Sequence, residues 1–189
     1  MKIAALQGPR QFEVLEIPKP EIASDEVLLR VAACGVCTSE LDQWEGKAHI
    51  NYPHYPGHEV SGIVENVGSK VQSFHPGDKV GAWVTSRGFV EYVAVKAEYC
   101  FPANDVPLDL ALAEPLACAV NAVELANLSL SDDVVIIGAG FIGNLVQKLV
   151  QLKGPRHVIV ADTRPDALER AKKWVQRVSW MSETNHSWM

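Results

Sequence analysis

The chain has 189 residues, 48% hydrophobic and 21% charged, with a formal net charge of −6 and a mean hydropathy of +0.02. At about 150 residues per domain that length exceeds one small domain and falls short of two ordinary ones, and the apolar content excludes a disordered chain. The acidic balance argues against nucleic acid or an anionic membrane as partner, since both are held by basic patches.

No apolar run approaches the ~20 residues of a membrane helix, and Met1-Lys2-Ile3 opens no signal peptide, so a cytoplasmic location is expected. Four cysteines in a reducing compartment are thiols or metal ligands before they are disulfides.

From Lys2 to about Tyr99 the pattern is one of short strands, with apolar alternation in 26–32, 60–67, 78–84 and 89–95 separated by turns such as Pro56-Gly57 and Pro76-Gly77-Asp78. This predicts an all-β barrel or sandwich. After Pro107 the period lengthens. Leu110 to Leu128 predicts a largely buried helix, and Asp133 to Ile137 is a continuous apolar run of the kind buried on both faces of a parallel sheet. A helical pattern over 141–153, a second buried strand over 157–161 and a charged helix over 165–173 complete a βαβα series, which belongs to an α/β sheet.

Gly138-Ala139-Gly140-Phe141-Ile142-Gly143 fits G-x-G-x-x-G between a strand and a helix. The first glycine permits the turn, the second lets backbone approach a pyrophosphate, and the third lets helix pack on strand. Asp162 closes the next strand at the spacing of an acid that binds ribose hydroxyls, which favours NAD over NADP. Arg164 nearby weakens that preference.

Cys34-Gly35-Val36-Cys37 could be a redox pair, half of a structural zinc site, or one ligand beside a buried thiol. Gly57-His58-Glu59 offers an imidazole and a carboxylate in a loop that leads into a strand, and Glu114 lies in the apolar stretch Leu112 to Leu116. One thiolate, one imidazole and carboxylate oxygens suit a zinc ion with a position left for water or substrate.

Gly57-His58-Glu59-Val60-Ser61-Gly62, followed by Gly68 and Val71, resembles the zinc signature of the medium-chain alcohol and polyol dehydrogenases. Cys34 to Glu40 resembles the first-ligand loop of that family, and Gly77-Asp78-Lys79-Val80 and Gly88 to Tyr92 resemble its barrel landmarks. The resemblance implies a GroES-like β domain over 1–116 and the first half of a Rossmann domain over 117–173. It implies zinc ligation by Cys37, His58 and Glu59, and by Glu114 either directly or through water, in the manner of the sorbitol and threonine dehydrogenase branch, with Glu59 also in a catalytic role. A proton relay falls on Ser39, and dinucleotide contacts fall on Gly138, Gly140, Phe141, Ile142, Gly143 and Asp162. Asp42 stands where some relatives have a relay histidine.

The reaction implied is hydride transfer from a small secondary alcohol or polyol to NAD at a single catalytic zinc. The family's four-cysteine structural lobe would lie between Val80 and Glu91, where only Gly81 to Val90 stand, so Cys34, Cys100 and Cys118 are expected to be small buried hydrophobes. Relatives are homo-oligomers, an expectation attached to a full-length parent. For this chain, read as C-terminally truncated, little activity is expected, the alternative being a non-catalytic zinc-binding fragment. Residues 174–189, with Trp174, Trp180 and Trp188 crowded together, depart from the family pattern. Reading them one base back permits Met-Gly-Ala and then Val-Val-Asp-Val, so a frameshifted tail is expected, against a divergent terminal helix.

Overall fold

The computed structural model describes residues 1–174 and the backbone of 178–181, in two units, Met1–Glu114 and Pro115–Met189. Most of the expected anomalous tail lies outside the described residues.

The first unit opens with a hairpin of β1 (Lys2–Gly8) and β2 (Gln11–Glu16), which the strand pattern foresaw only in general terms. Ile3 and Ala5 are buried on one side of β1 and Leu6 on the other. A five-stranded antiparallel sheet follows, built from β3 (Glu26–Cys34), β4 (Glu59–Val67), β5 (Lys79–Trp83), β6 (Tyr92–Lys96) and β7 (Cys100–Pro102) in the order β6-β3-β4-β5-β7. Val27, Leu29, Val60, Val64, Val80 and Val93 project into one core with Phe74 and Cys100. Each fully buried side chain of this kind contributes about 1.5–3 kcal/mol, and β-branched residues suit the pleat.

The β3–β4 pairing sets the site. Cys34 lies opposite Val60, so the chain leaving β3 and the chain entering β4 emerge at one edge of the sheet. The strand β4 continues that registration into β5, pairing Glu59 with Trp83. Between β3 and β4 stands α1 (Thr38–Glu45), a helix the strand pattern did not anticipate.

The second unit carries a parallel sheet in the order β10-β9-β8, from β8 (Asp133–Ile137), β9 (His157–Ala161) and β10 (Val178–Met181). The helices are α2 (Ala113–Leu125), which starts at the unit boundary, α3 (Phe141–Gln151) and α4 (Pro165–Lys172). Pro165 occupies the first helical turn of α4, where its missing N–H costs nothing. Val123, Ile136, Val150, Val158, Val160, Ala167, Leu168 and Ala171 form the core.

Three expectations are corrected here. The helix predicted over 110–128 is shorter, and it buries only the stripe Pro115, Ala119 and Val123; Leu116, Val120 and Leu125 lie off that stripe and are exposed. The strand expected to be buried on both faces is an edge strand, with Ile136 in the core but Val135 and Ile137 exposed at 59% and 88%. Among the three cysteines expected to be buried, Cys100 is, Cys34 is half-buried, and Cys118 is exposed because α2 turns it off the packed stripe.

Candidate metal centre

Cys37 sits at the N-terminal boundary of α1 in extended conformation. Three residues on, Glu40 turns back and its Oε2 accepts the Cys37 N–H at 2.6 Å, so the helix end that presents the thiol is closed by its own third residue. The second half of the site enters from the loop before β4. Gly57 takes φ 99 with its backbone against Gly88 and Phe89, a conformation and a proximity that no larger residue tolerates. Its N–H donates to Glu40 Oε1 at 3.1 Å, and the adjacent His58 donates Nδ1–H to the same oxygen at 2.6 Å.

Glu40, 4% exposed, therefore ties both loops together and fixes the tautomer of His58. With Nδ1 engaged, Nε2 is left as the ligating nitrogen, 3.8 Å from Glu59 Oε1. One ligand atom each from Cys37, His58 and Glu59 lie within 4.8 Å of one another. Glu59 is buried, and a Cβ on Gly35 would collide with its carboxylate, which explains why the Cys34-Gly35-Val36-Cys37 loop carries a glycine there. Burial first, then the negative charge of Glu114, pushes the Glu59 carboxyl above its ordinary range, while His58 draws it down. A bound cation would relieve that strain, and a soft thiolate, an imidazole and an oxygen in one cluster are the donors zinc takes. These three residues fit the metal that the sequence implies. Glu114 stays outside the cluster but close enough for its charge to act on Glu59.

Sequence reasoning quoted Glu40 in the motif and gave it no role. A Glu three residues after the thiol, at a helix start, was the available signal. Ser39 lies in the first turn of α1, exposed, two residues from the thiol. Burial pushes the Cys34 thiol up to about 12, and Cys34 lies outside the cluster that Cys37 joins.

In the second unit the glycine turn joins β8 to α3, with Gly138 at φ 105 and Gly140 at the helix boundary. A Cβ on Gly143 would strike the Gly138 carbonyl, so the third glycine is demanded by close approach. Phe141 and Ile142 are exposed on the first turn of α3. Asp162 Oδ2 accepts the Ala139 N–H at 2.8 Å, bracing the turn from β9. Its carboxylate also accepts the Arg164 N–H at 2.8 Å and both Nε and Nη2 of Arg164 at 3.0 Å, and these contacts hold it well below the usual carboxylate range. The structure thus brings Gly138, Gly140, Gly143 and Asp162 together in one turn, with Arg164 on the acid.

Comparison with known proteins places this geometry. The alcohol dehydrogenase GroES-like domain matches residues 23–105. Galactitol 1-phosphate 5-dehydrogenase from Escherichia coli (strain K12) is 33% identical over 192 residues, 85% of this chain and 55% of that protein. A crystal structure of galactitol-1-phosphate dehydrogenase from Escherichia coli superposes with a TM-score of 0.83 at 30% identity, covering 95% of this chain and 61% of that one. Two further structures, both 26% identical, are an alcohol dehydrogenase from E. coli CFT073 complexed with NADH (TM-score 0.83; 97% of this chain, 63% of that one) and a zinc-binding dehydrogenase from Sinorhizobium meliloti 1021 bound to NADP (TM-score 0.80; 96% and 61%).

The chain belongs to the zinc-dependent medium-chain alcohol and polyol dehydrogenase family, with a GroES-like domain and part of a Rossmann-like parallel sheet. It spans about 55–63% of the length of these relatives.

Proposed function

We propose that this chain carries the zinc site and the adenosine half of the dinucleotide site of an oxidoreductase that moves hydride from a secondary alcohol or polyol to NAD. The observation that carries this reading is the cluster of Cys37, His58 and Glu59 within 4.8 Å, held from behind by Glu40.

Zinc, when bound, supplies Lewis-acid stabilisation of the negative charge an alcohol oxygen acquires as it loses its proton. Every other part falls to the chain. Cys37 and His58 hold the ion, and Glu40 keeps the His58 ring oriented through Nδ1. Glu59 supplies a carboxylate oxygen on the same cluster, and Glu114 is placed to contribute in the same region through its charge. The Ser39 hydroxyl accepts the alcohol proton at Oγ and passes it outward to solvent.

In the second unit the N–H groups of the turn at Gly138 and Gly140 and the start of α3 receive a pyrophosphate, and Asp162 receives the adenosine ribose hydroxyls. A carboxylate there disfavours a 2′-phosphate, so NAD is preferred; Arg164 on the same carboxylate narrows the margin over NADP. The second reading is zinc binding without turnover.

The test is metal analysis with a polyol panel assayed for NAD reduction. The proposal expects about one zinc per chain, lost in His58→Ala, in keeping with a single three-ligand site. Zinc with no turnover on any polyol establishes the second reading. No zinc removes both.

A further inference from the structure

Ser61 is fully buried, a polar side chain of the β domain that takes no part in the metal cluster. It stands on β4 two residues beyond Glu59, and by the alternation of a strand the two side chains share one face of the sheet, while Val60 and Val64 project from the other face into the core. Its register partner on β5 is Gly81. Directly opposed residues of an antiparallel pair lie on the same face, so a hydroxyl stands there beside a residue with no side chain. Backbone can therefore lie close on this face.

The segment that leaves β7 covers it. The Ala103 N–H donates to the Lys79 carbonyl at 2.9 Å, which ties the segment to β5, and two turns fold it back, with the Leu110 N–H on the Pro107 carbonyl at 2.9 Å and the Ala111 N–H on the Leu108 carbonyl at 3.3 Å. The Ser61 hydroxyl donates to that same Leu108 carbonyl, so one acceptor holds the second turn and fastens it to β4. A Cβ on Gly81 would strike the Ala111 carbonyl, so the next residues lie directly on β5. Leu112 then brings Cδ1 to 3.1 Å from the place a Cβ on Gly35 would take, the same place that the Glu59 carboxylate flanks. Two residues later comes Glu114, in the first turn of α2, and its negative charge acts on Glu59.

We propose that Ser61 is a positioning residue of the metal centre: its hydroxyl pins the segment 108–114 across β4 and β5, and the pinned segment holds the Glu114 carboxylate where it meets a bound cation, directly or through water. The role rests on Cys37, His58 and Glu59 holding zinc. Those three ligands come from the chain leaving β3 and the start of β4, whereas Glu114 arrives on a separate segment. A carboxylate on a loose segment contributes little to binding, because ordering the segment as the ion arrives costs conformational entropy. A segment already fastened to the sheet does not lose that entropy again.

The experiment is a double-mutant cycle of Ser61→Ala and Glu114→Gln in the full chain, with zinc affinity read by competition with a chromophoric chelator. Each single change should weaken zinc binding about tenfold, as loss of an outer partner does. Ser61→Ala should leave the far-ultraviolet circular dichroism unchanged, because the Ala111 N–H still bonds the Leu108 carbonyl. Added to Glu114→Gln, Ser61→Ala should weaken binding no further, whereas a purely structural hydroxyl would act in both backgrounds alike. Two more variants keep the result independent of one substitution. Gly81→Ala pushes the same segment from β5, and its effect should also vanish in Glu114→Gln; Ser61→Cys, with a weaker donor, should fall between the parent and Ser61→Ala. Unchanged zinc affinity in either single variant, or a Ser61→Ala loss that persists undiminished in Glu114→Gln, overturns the positioning role and leaves the zinc site standing. No zinc uptake by the parent removes both.

Discussion

The Nδ1–H of His58 donates to Glu40 Oε1 at 2.6 Å, and that same oxygen receives the Gly57 N–H at 3.1 Å. One buried carboxylate thus orients the imidazole and anchors the backbone that presents it, while its other oxygen holds the Cys37 N–H. A residue that touches no metal decides whether two ligand loops, 21 residues apart in sequence, meet. Glu40→Gln keeps the shape but weakens the acceptor. Zinc affinity should fall by about 10–100-fold with the far-ultraviolet circular dichroism unchanged, whereas Glu40→Asp should recover part of the loss. Competition with a chromophoric chelator measures it. Unaltered affinity in Glu40→Gln would remove the positioning role.

Glu59 yields a prediction of opposite sign for stability and for binding. Burial and Glu114 raise its pKa in the folded, metal-free chain, so folding favours the protonated form. Between the ordinary and the raised value the folded chain holds more protons than the unfolded one, and stability is lost as pH rises through that window. Glu59→Gln should therefore raise the thermal midpoint of the metal-free protein at neutral pH and lower it relative to the parent once zinc is added. A lower midpoint in both states would contradict the assignment.

Thiol chemistry separates the cysteines. Burial pushes the thiols of Cys34 and Cys100 up to about 12, leaving roughly one molecule in ten thousand as thiolate at pH 8. Iodoacetamide at pH 8 should modify exposed Cys118 and spare Cys34 and Cys100, and mass mapping of the alkylated sites checks this. Rapid modification of Cys100 would show that the β-domain core opens far more readily than its packing indicates.

The dinucleotide turn can be tested apart from the metal. In Gly143→Ala the new methyl must displace the Gly138 carbonyl, so binding of ADP-ribose should be lost while zinc content is kept. Asp162→Asn removes the charge that receives ribose hydroxyls and should weaken ADP-ribose by about 10–100-fold, the worth of a hydrogen bond to a charged group. Calorimetry reads both.

Much of this was legible in the sequence because the signals were local. The glycine turn and the alternation of β4 each lie within a dozen residues, and spacing reveals them, while the Gly57-His58-Glu59 loop stands out through its resemblance to the family's zinc signature. What escaped was set by contacts between distant segments. The role of Glu40 depends on His58, 18 residues away, and on how β3 and β4 bring the two loops to one edge. The exposed faces of α2 and β8 escaped for a related reason. An apolar run records hydrophobicity, but which side of it is covered depends on neighbours, and α2 offers one narrow stripe while β8 stands at an edge.

The central claim is that Cys37, His58 and Glu59 form one zinc site organised by Glu40, and metal content measured by mass spectrometry on purified parent and His58→Ala chains tests it most directly. About one zinc per chain in the parent and almost none in a folded His58→Ala is the result expected of a three-ligand site losing one donor. Equal zinc in the two chains, or none in the parent after zinc is supplied, would contradict it.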